Sequence, residues 1–232
     1  MESSSSNFDP QAASISTDIR EVLFGDEPLE KVASYAQDVQ GNNPWAGFAL
    51  TSQRLAAGDT PGAIAVLMEI LRQKNLEVRI YLQAWHCLRT LGQYPDIAQA
   101  REIHGVVIEV AHERGLDIVA AYADGSARYF NYSGVAVVWD LQDADIDRLV
   151  SELLSIGQSL VDVSEPWDGP RPAAPPTGMV RINGLTPGGL HFGQGTFQVV
   201  SQDGLGGLAL RGAFDLMQAL IAKVKARQNI ER

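Results

Sequence analysis

The apolar positions in the first half of the chain recur with the period of an α-helix, and a short glycine–proline phrase interrupts them three times. The phrase occupies residues 25–28 (GDEP), 58–61 (GDTP) and 92–95 (GQYP), at spacings of 33 and 34 residues. Glycine suits the left-handed position that follows a helix, and proline is tolerated in the first helical turn. The pattern therefore predicts stacked helical hairpins over residues 14–115.

The second and third phrases resemble the turn of the tetratricopeptide repeat, whose consensus is Gly-Asp-Tyr-x-x-Ala. The residues that carry the resemblance are Gly58, Asp59 and Ala63 in one copy, and Gly92 and Tyr94 in the next. The resemblance covers roughly residues 15–114 and implies that the first helix of each repeat lines a concave, peptide-binding groove. A helical bundle whose spacing is coincidental is the alternative.

One polar stripe fits such a groove. If residues 78–91 form a helix, the polar side chains that recur three or four residues apart lie on one face, opposite Tyr81, Leu88 and Leu91. This stripe consists of Arg79, Gln83, His86 and Arg89. By the same resemblance, Trp45 and Ser52 face the groove one repeat earlier. A solvated helix face is the alternative to an acidic-peptide site.

The period changes after Gly115. Residues 116–139 alternate in polarity around Asp124-Gly125, which predicts a hairpin and a third strand, and a helical apolar stripe capped by Asp143 or Asp145 follows. Residues 165–178 form a Pro-rich loop, after which strands, including one over residues 196–200, precede a final helix. We therefore predict an α+β fold, with an antiparallel sheet covered by two helices and a possible duplicated βββα unit over residues 116–232.

Charge and composition narrow the classes of function that this chain could have. The formal net charge of −10, from 28 acidic and 18 basic residues, argues against nucleic-acid binding. Cys87 is the only cysteine, so neither a disulfide framework nor a cysteine zinc site is expected. The polar, serine-rich residues 1–13 predict a disordered tail rather than a secretory signal. No apolar run approaches the roughly 18 residues of a spanning helix, so a cytoplasmic protein without membrane contact is expected.

Candidate chemistry is sparse. Residues 204–209 satisfy G-x-G-x-x-A, but the second strand and the acid of a dinucleotide site do not follow, so no cofactor is predicted. The histidine spacings do not form a metal site, and no nucleophile motif is present, so catalytic residues are not assigned. The residues of a ligand pocket in the C-terminal half would be His191, Gly204 and Gly206.

The leading hypothesis is a non-catalytic adaptor whose helical groove binds another protein or an acidic peptide, with possible homo-oligomerisation. The alternative is a small-molecule sensor or an enzyme whose pocket lies in the C-terminal α+β domain. A third interpretation is a structural component of a larger assembly. A deep pocket with a perturbed titratable group would favour the enzyme, and a shallow concave surface would favour the adaptor.

Overall fold

A computed structural model describes residues 19–37 and 44–230 of the chain. In this part of the protein a helical region precedes a six-stranded antiparallel sheet and its covering helices, so the predicted α+β class is confirmed. The predicted disordered tail, residues 1–13, lies outside the described residues.

The helical region is built from short helices separated by the predicted glycines. Its helical segments are α1 (Leu29–Ser34), a 3₁₀ turn (Tyr35–Gln37), α2 (Pro44–Ala56), α3 (Thr60–Leu71), α4 (Val78–Thr90) and α5 (Ile97–Ala100). Gly25, Gly58 and Gly92 have φ angles of +62°, +77° and +76°, the left-handed region in which glycine is favoured. Each glycine thus ends one segment, as the repeated phrase predicted.

The sheet contains six strands, and all neighbouring strands are antiparallel. Their bounds are β1 (Gly105–His112), β2 (Gly115–Tyr122), β3 (Ala127–Phe130), β4 (Ala136–Trp139), β5 (Met179–Thr186) and β6 (Gly189–Thr196). The spatial order is β4-β3-β2-β1-β5-β6, so β4 and β6 form the edges. Helix α6 (Ala144–Val163) follows β4, and helices α7 (Phe197–Gln202) and α8 (Gly204–Ile230) follow β6.

Helices α6 and α8 cover one face of the sheet. Leu153 from α6 and Leu216 and Leu220 from α8 are fully buried in the core that they share with the strands. Helix α6 approaches β1 closely at Gly157, where an added Cβ would lie 2.3 Å from Cγ2 of Val106. A residue without a side chain is therefore required at this contact.

The helical region covers the other face. Leu23, Phe24 and two residues of α4, Val78 and Leu82, pack on strand residues that include Tyr122. The opposite side of α4 contributes Leu88 and its neighbours to a separate core with α2 and α3. Helix α4 is therefore shared by two cores and joins the helical region to the sheet.

Three sequence predictions are wrong in detail. The apolar run after Ile97 was expected to be a helix, but the helix ends at Ala100 and β1 begins at Gly105. The expected strand over residues 196–200 belongs mainly to helix α7. The suggested duplication of a βββα unit over residues 116–232 is not found, because three strands, β2 to β4, precede α6 but only β5 and β6 precede α7.

The expectation that no segment is apolar enough to span a membrane does not hold for helix α8. Its portion Gly204–Gln228 is long and apolar enough to cross a bilayer by length and composition. The buried side of α8, with Ala209, Ala213 and Leu216, lies in the protein core. Core helices of soluble proteins pass the same test, so this is weak evidence for a membrane span.

Candidate functional site

An open cleft of about 800 Å³ lies between the helical region and one end of the sheet. One wall is the last turns of α4 with the segment 21–28, and the other is the β5–β6 turn with residues 166–171 of the Pro-rich loop. These segments are distant in sequence, so the cleft exists only when the helical region and the sheet are assembled. Its volume falls within the roughly 300–1,000 Å³ range of ligand sites.

The four residues of the predicted polar stripe on α4 do not share one environment. Gln83 is 2% exposed; its Oε1 accepts from the backbone N–H of Glu27 at 2.9 Å, and its Nε2 donates to the Glu27 carbonyl at 2.8 Å. Arg79 forms an ion pair with Glu77 and donates to the carbonyl of Val22 at 3.2 Å. Only His86 and Arg89 of the stripe line the cleft.

Arg89 is the cation of α4 that lines the cleft, and the carboxylates of Glu21, Asp26 and Asp168 line it as well. Arg89 Nη1 donates to the backbone carbonyl of Pro187, and no carboxylate among the described residues forms an ion pair with Arg89. Burial is the largest influence on Arg89 and lowers its pKa, although arginine stays protonated at neutral pH. The fixed guanidinium therefore offers its remaining N–H donors to an anionic group.

His86 lies beside Arg89, and its surroundings lower its pKa as well. Burial lowers the pKa of His86 most, the charges of Arg89 and Arg171 lower it further, and Asp26 opposes them. Within the described part of the chain, no hydrogen bond to the His86 ring is found. His86 is therefore neutral at pH 7, and an anion bound beside it would favour its protonated form.

The Pro-rich loop is held against the helical region. Arg171 pairs with Glu21 at 2.6 Å and with Asp26 at 2.7 Å, and its guanidinium carbon lies 4.4 Å from the ring centroid of Phe24. Trp167 donates its backbone N–H to the carbonyl of Leu190 at 2.6 Å. The predicted Pro-rich loop is therefore one wall of the cleft.

Two aromatic side chains stand in this open cleft. Trp167 is 47% exposed and Tyr94 is 72% exposed, and both line the cavity. The Trp167 ring makes an edge contact with Phe192, with 5.4 Å between the centroids, and its Nε1 donates to the carbonyl of Pro170 at 2.9 Å. Large exposed aromatic rings are typical of binding surfaces.

A buried charge network lies beneath the Pro-rich loop, on β1 and β5. Glu109 has no exposed surface; it accepts from Arg20 Nε at 2.5 Å and from Asn183 Nδ2 at 3.1 Å, while Arg181 Nη1 lies 3.7 Å away. Arg20 Nη2 also donates to the carbonyl of Pro172 at 2.9 Å, and Arg181 Nη1 to that of Ala173 at 2.6 Å. The network ties the first described segment, the sheet and the loop together.

Sequence reasoning did not find this network. Glu109 and His112 belong to the segment 14–115, which the sequence predicts to be helical. Both residues lie on strand β1 instead, and positions three apart on a strand point to opposite faces. The alternation of Arg181 and Asn183 on β5 was the available signal, but it did not reveal their partners.

The remaining candidate residues lie away from the cleft. Trp45 packs against Tyr35 and Phe48, and Ser52 is half-buried on the same helix, α2. Neither residue lines the cleft or the smaller recess beside α7. The cleft therefore does not include these two positions.

The glycine loop and His191 do not form one pocket. His191 is 1% exposed, and its Nδ1 lies 3.1 Å from the hydroxyl of Ser164. Gly204 and Gly206 are in the first turn of α8, where the Asp203 carboxylate accepts from the Gly206 N–H at 2.6 Å. Gly206 lines the recess beside α7, whereas His191 and Gly204 do not.

The side chains that line the cleft include no hydrogen-bonded nucleophile–base pair among the described residues. A general base needs a hydrogen-bonded partner that orients it, and His86 has none among the described residues. In the same part of the chain, no three His, Cys, Asp or Glu side chains are grouped so as to hold a metal ion.

Comparison with known proteins gives no functional assignment. No protein-family model matches this chain, and no curated protein is significantly similar to it. The tetratricopeptide resemblance of the helical region therefore stays a prediction. The geometry of the cleft is the basis for a functional proposal.

Proposed function

We propose that the protein is a non-catalytic interaction protein whose cleft binds an acidic segment of a partner protein. The observation that carries this proposal is the Arg89 guanidinium, which lines the cleft without a carboxylate partner among the described residues. A carboxylate is a suitable ligand because it accepts two parallel N–H bonds from one guanidinium. His86 adds a second donor beside it.

The cleft favours a peptide over a compact metabolite. It is open along one side, and its walls combine the exposed rings of Trp167 and Tyr94 with the Arg89 guanidinium of α4. Aromatic and arginine side chains are the residues that contribute most to protein interfaces. The site lies between the two structural regions, rather than on the helical region alone as the resemblance implied.

The proposal includes a cytoplasmic location and leaves room for self-association. Support for a location away from the membrane comes from α8, whose buried side packs on α6 and the sheet. The formal net charge of −10 also disfavours adsorption to anionic lipid surfaces.

A direct test measures binding of a fluorescein-labelled hexaglutamate peptide by anisotropy at physiological salt, which screens the long-range repulsion from the net charge of −10. A hexalysine peptide is the charge control. We expect the acidic peptide to bind the full chain. Arg89→Gln should weaken binding about tenfold, equivalent to ~1.4 kcal/mol. Arg211→Gln is the matched control, because Arg211 is exposed on α8 and has no ion pair among the described residues.

Two results would contradict the proposal. One is equal affinity for the acidic and basic peptides, which would mean that the cleft does not select an anion. The other is an Arg89→Gln variant that binds as well as Arg211→Gln does, which would place the acidic segment elsewhere. Circular dichroism should show that both variants keep the native fold.

A further inference from the structure

A second cavity lies on the other side of the sheet, far along the chain from α4. This recess has a volume of about 230 Å³ and is enclosed by α6, the strands β5 and β6, helix α7 and the first turns of α8. Side chains of Ile156, Leu160, Ile182, Val200 and Ala209 contribute to its lining. The recess is therefore predominantly apolar.

The recess lies beside two glycines on the covered face of β6, the face that also carries His191. Gly193 is the register partner of Ile182, and Gly195 is that of Val180, so both glycines face the core beneath α6 and α8. A Cβ added at Gly193 would meet Cδ1 of Leu160 at 3.7 Å, an ordinary van der Waals distance. The position could hold a side chain, and its absence leaves space between well-packed elements.

The polar groups near the recess already have partners. The Asp203 carboxylate accepts from the backbone N–H groups of Leu205 and Gly206 at 3.0 and 2.6 Å. The Gln194 side chain accepts from Arg181 Nε at 2.8 Å. The lining includes no Lys, Arg or His side chain, so burying an anionic ligand in the recess would be unfavourable.

The opening of the recess is also apolar. Val199 lines it and is 63% exposed, and Phe197 on the same helix is 53% exposed. A dry apolar cavity of about 150 Å³ in another protein is large enough to bind benzene. A recess of about 230 Å³ therefore accommodates one substituted ring or a short aliphatic chain.

We propose that this recess is a binding site for a small, uncharged, apolar molecule. The site is separate from the cleft, and the proposal does not depend on the cleft binding a peptide. Binding would supply the contacts that a side chain at Gly193 would otherwise make.

Toluene is a suitable probe, with benzoate as a charged molecule of similar shape. Binding to the full chain is measured by the rise in Tm with ligand concentration and by calorimetry. We expect toluene to raise Tm, because it binds the folded state only, and benzoate to have no effect. The cleft variant Arg89→Gln should respond to toluene like the natural chain.

Substitutions that fill the recess test whether toluene binds there. Gly193→Ala should weaken toluene binding about fourfold, equivalent to the ~0.8 kcal/mol of one buried methylene group, and Gly193→Val should remove it. If Gly193→Val fails to fold, Gly193→Ala still decides the question, because its methyl group meets only an ordinary contact. No response to toluene in the natural chain, or an equal response in Gly193→Ala, would overturn the proposal.

Discussion

The strongest stability prediction concerns Glu109, which is buried between two arginine side chains. Its carboxylate accepts from Arg20 Nε at 2.5 Å and from Arg20 Nη2 at 3.4 Å, and Arg181 Nη1 lies 3.7 Å away. Glu109→Gln keeps the size of the side chain but removes its charge. The new amide also presents N–H groups toward guanidinium donors, so hydrogen bonds are lost as well.

The expected cost follows from burial. Arg20 and Arg181 are each 4% exposed, so their charges cannot be solvated once Glu109 is neutral. Removing one partner of a buried ion pair costs about 3–5 kcal/mol in the free energy of unfolding. For a chain of this length, that corresponds to a fall in Tm of about 6–20 °C.

The assay is urea denaturation together with thermal unfolding, with Glu152→Gln as the control. Glu152 pairs with Arg148 at 2.7 Å on the exposed surface of α6, where such a pair contributes about 0–1 kcal/mol. The double variant Glu109→Gln/Arg20→Met should regain part of the lost stability, because one uncompensated charge is removed. A loss below about 1 kcal/mol for Glu109→Gln would refute the reasoning.

Two further predictions concern acid sensitivity and helix packing. Burial is the main cause that lowers the pKa of His104 and of His191, so the unfolded chain binds more protons, and stability should decrease as pH falls below about 6.5. Tm measured from pH 7.5 to 5 should show this decrease, and the decrease should be smaller in His104→Gln. If the Tm profile of His104→Gln equals that of the natural chain, protonation of His104 does not cause the decrease. Gly157→Ala should cost about 1–3 kcal/mol, because its Cβ would lie 2.3 Å from Val106 Cγ2. Exposed Ser155→Ala on the same helix is the control, and equal urea midpoints for the two variants would contradict the close packing.

Local signals in the sequence predicted much of the fold. Gly25, Gly58 and Gly92 end helical segments because each needs a positive φ angle, which is a local requirement. Asp143 caps α6 as expected, since its carboxylate accepts from the N–H groups of Asp145 and Ile146. Turns and caps depend on neighbouring residues, so sequence alone suffices for them.

Strand β1 shows where local signals fail. Its residues Val106, Val107 and Ile108 are all buried, because helices cover both faces of the sheet. A strand buried on both faces does not alternate in polarity, so its apolar run also fits a helix. The β-branched side chains were the better guide, but the 34-residue spacing favoured a third hairpin.

The location of the cleft follows from the double role of α4. Val78 and Leu82 contact the sheet core, while Ala84 and Leu88 contact the helical core, so most of the helix surface is covered. In a repeat array the first helix of a hairpin would face solvent along its whole length. Here only the last turns remain free, and they carry His86 and Arg89. Sequence could therefore identify His86 and Arg89, which lie at the end of α4, because the rest of that helix joins the two cores. The residues that face them across the cleft come together only in the assembled fold, so sequence could not identify those.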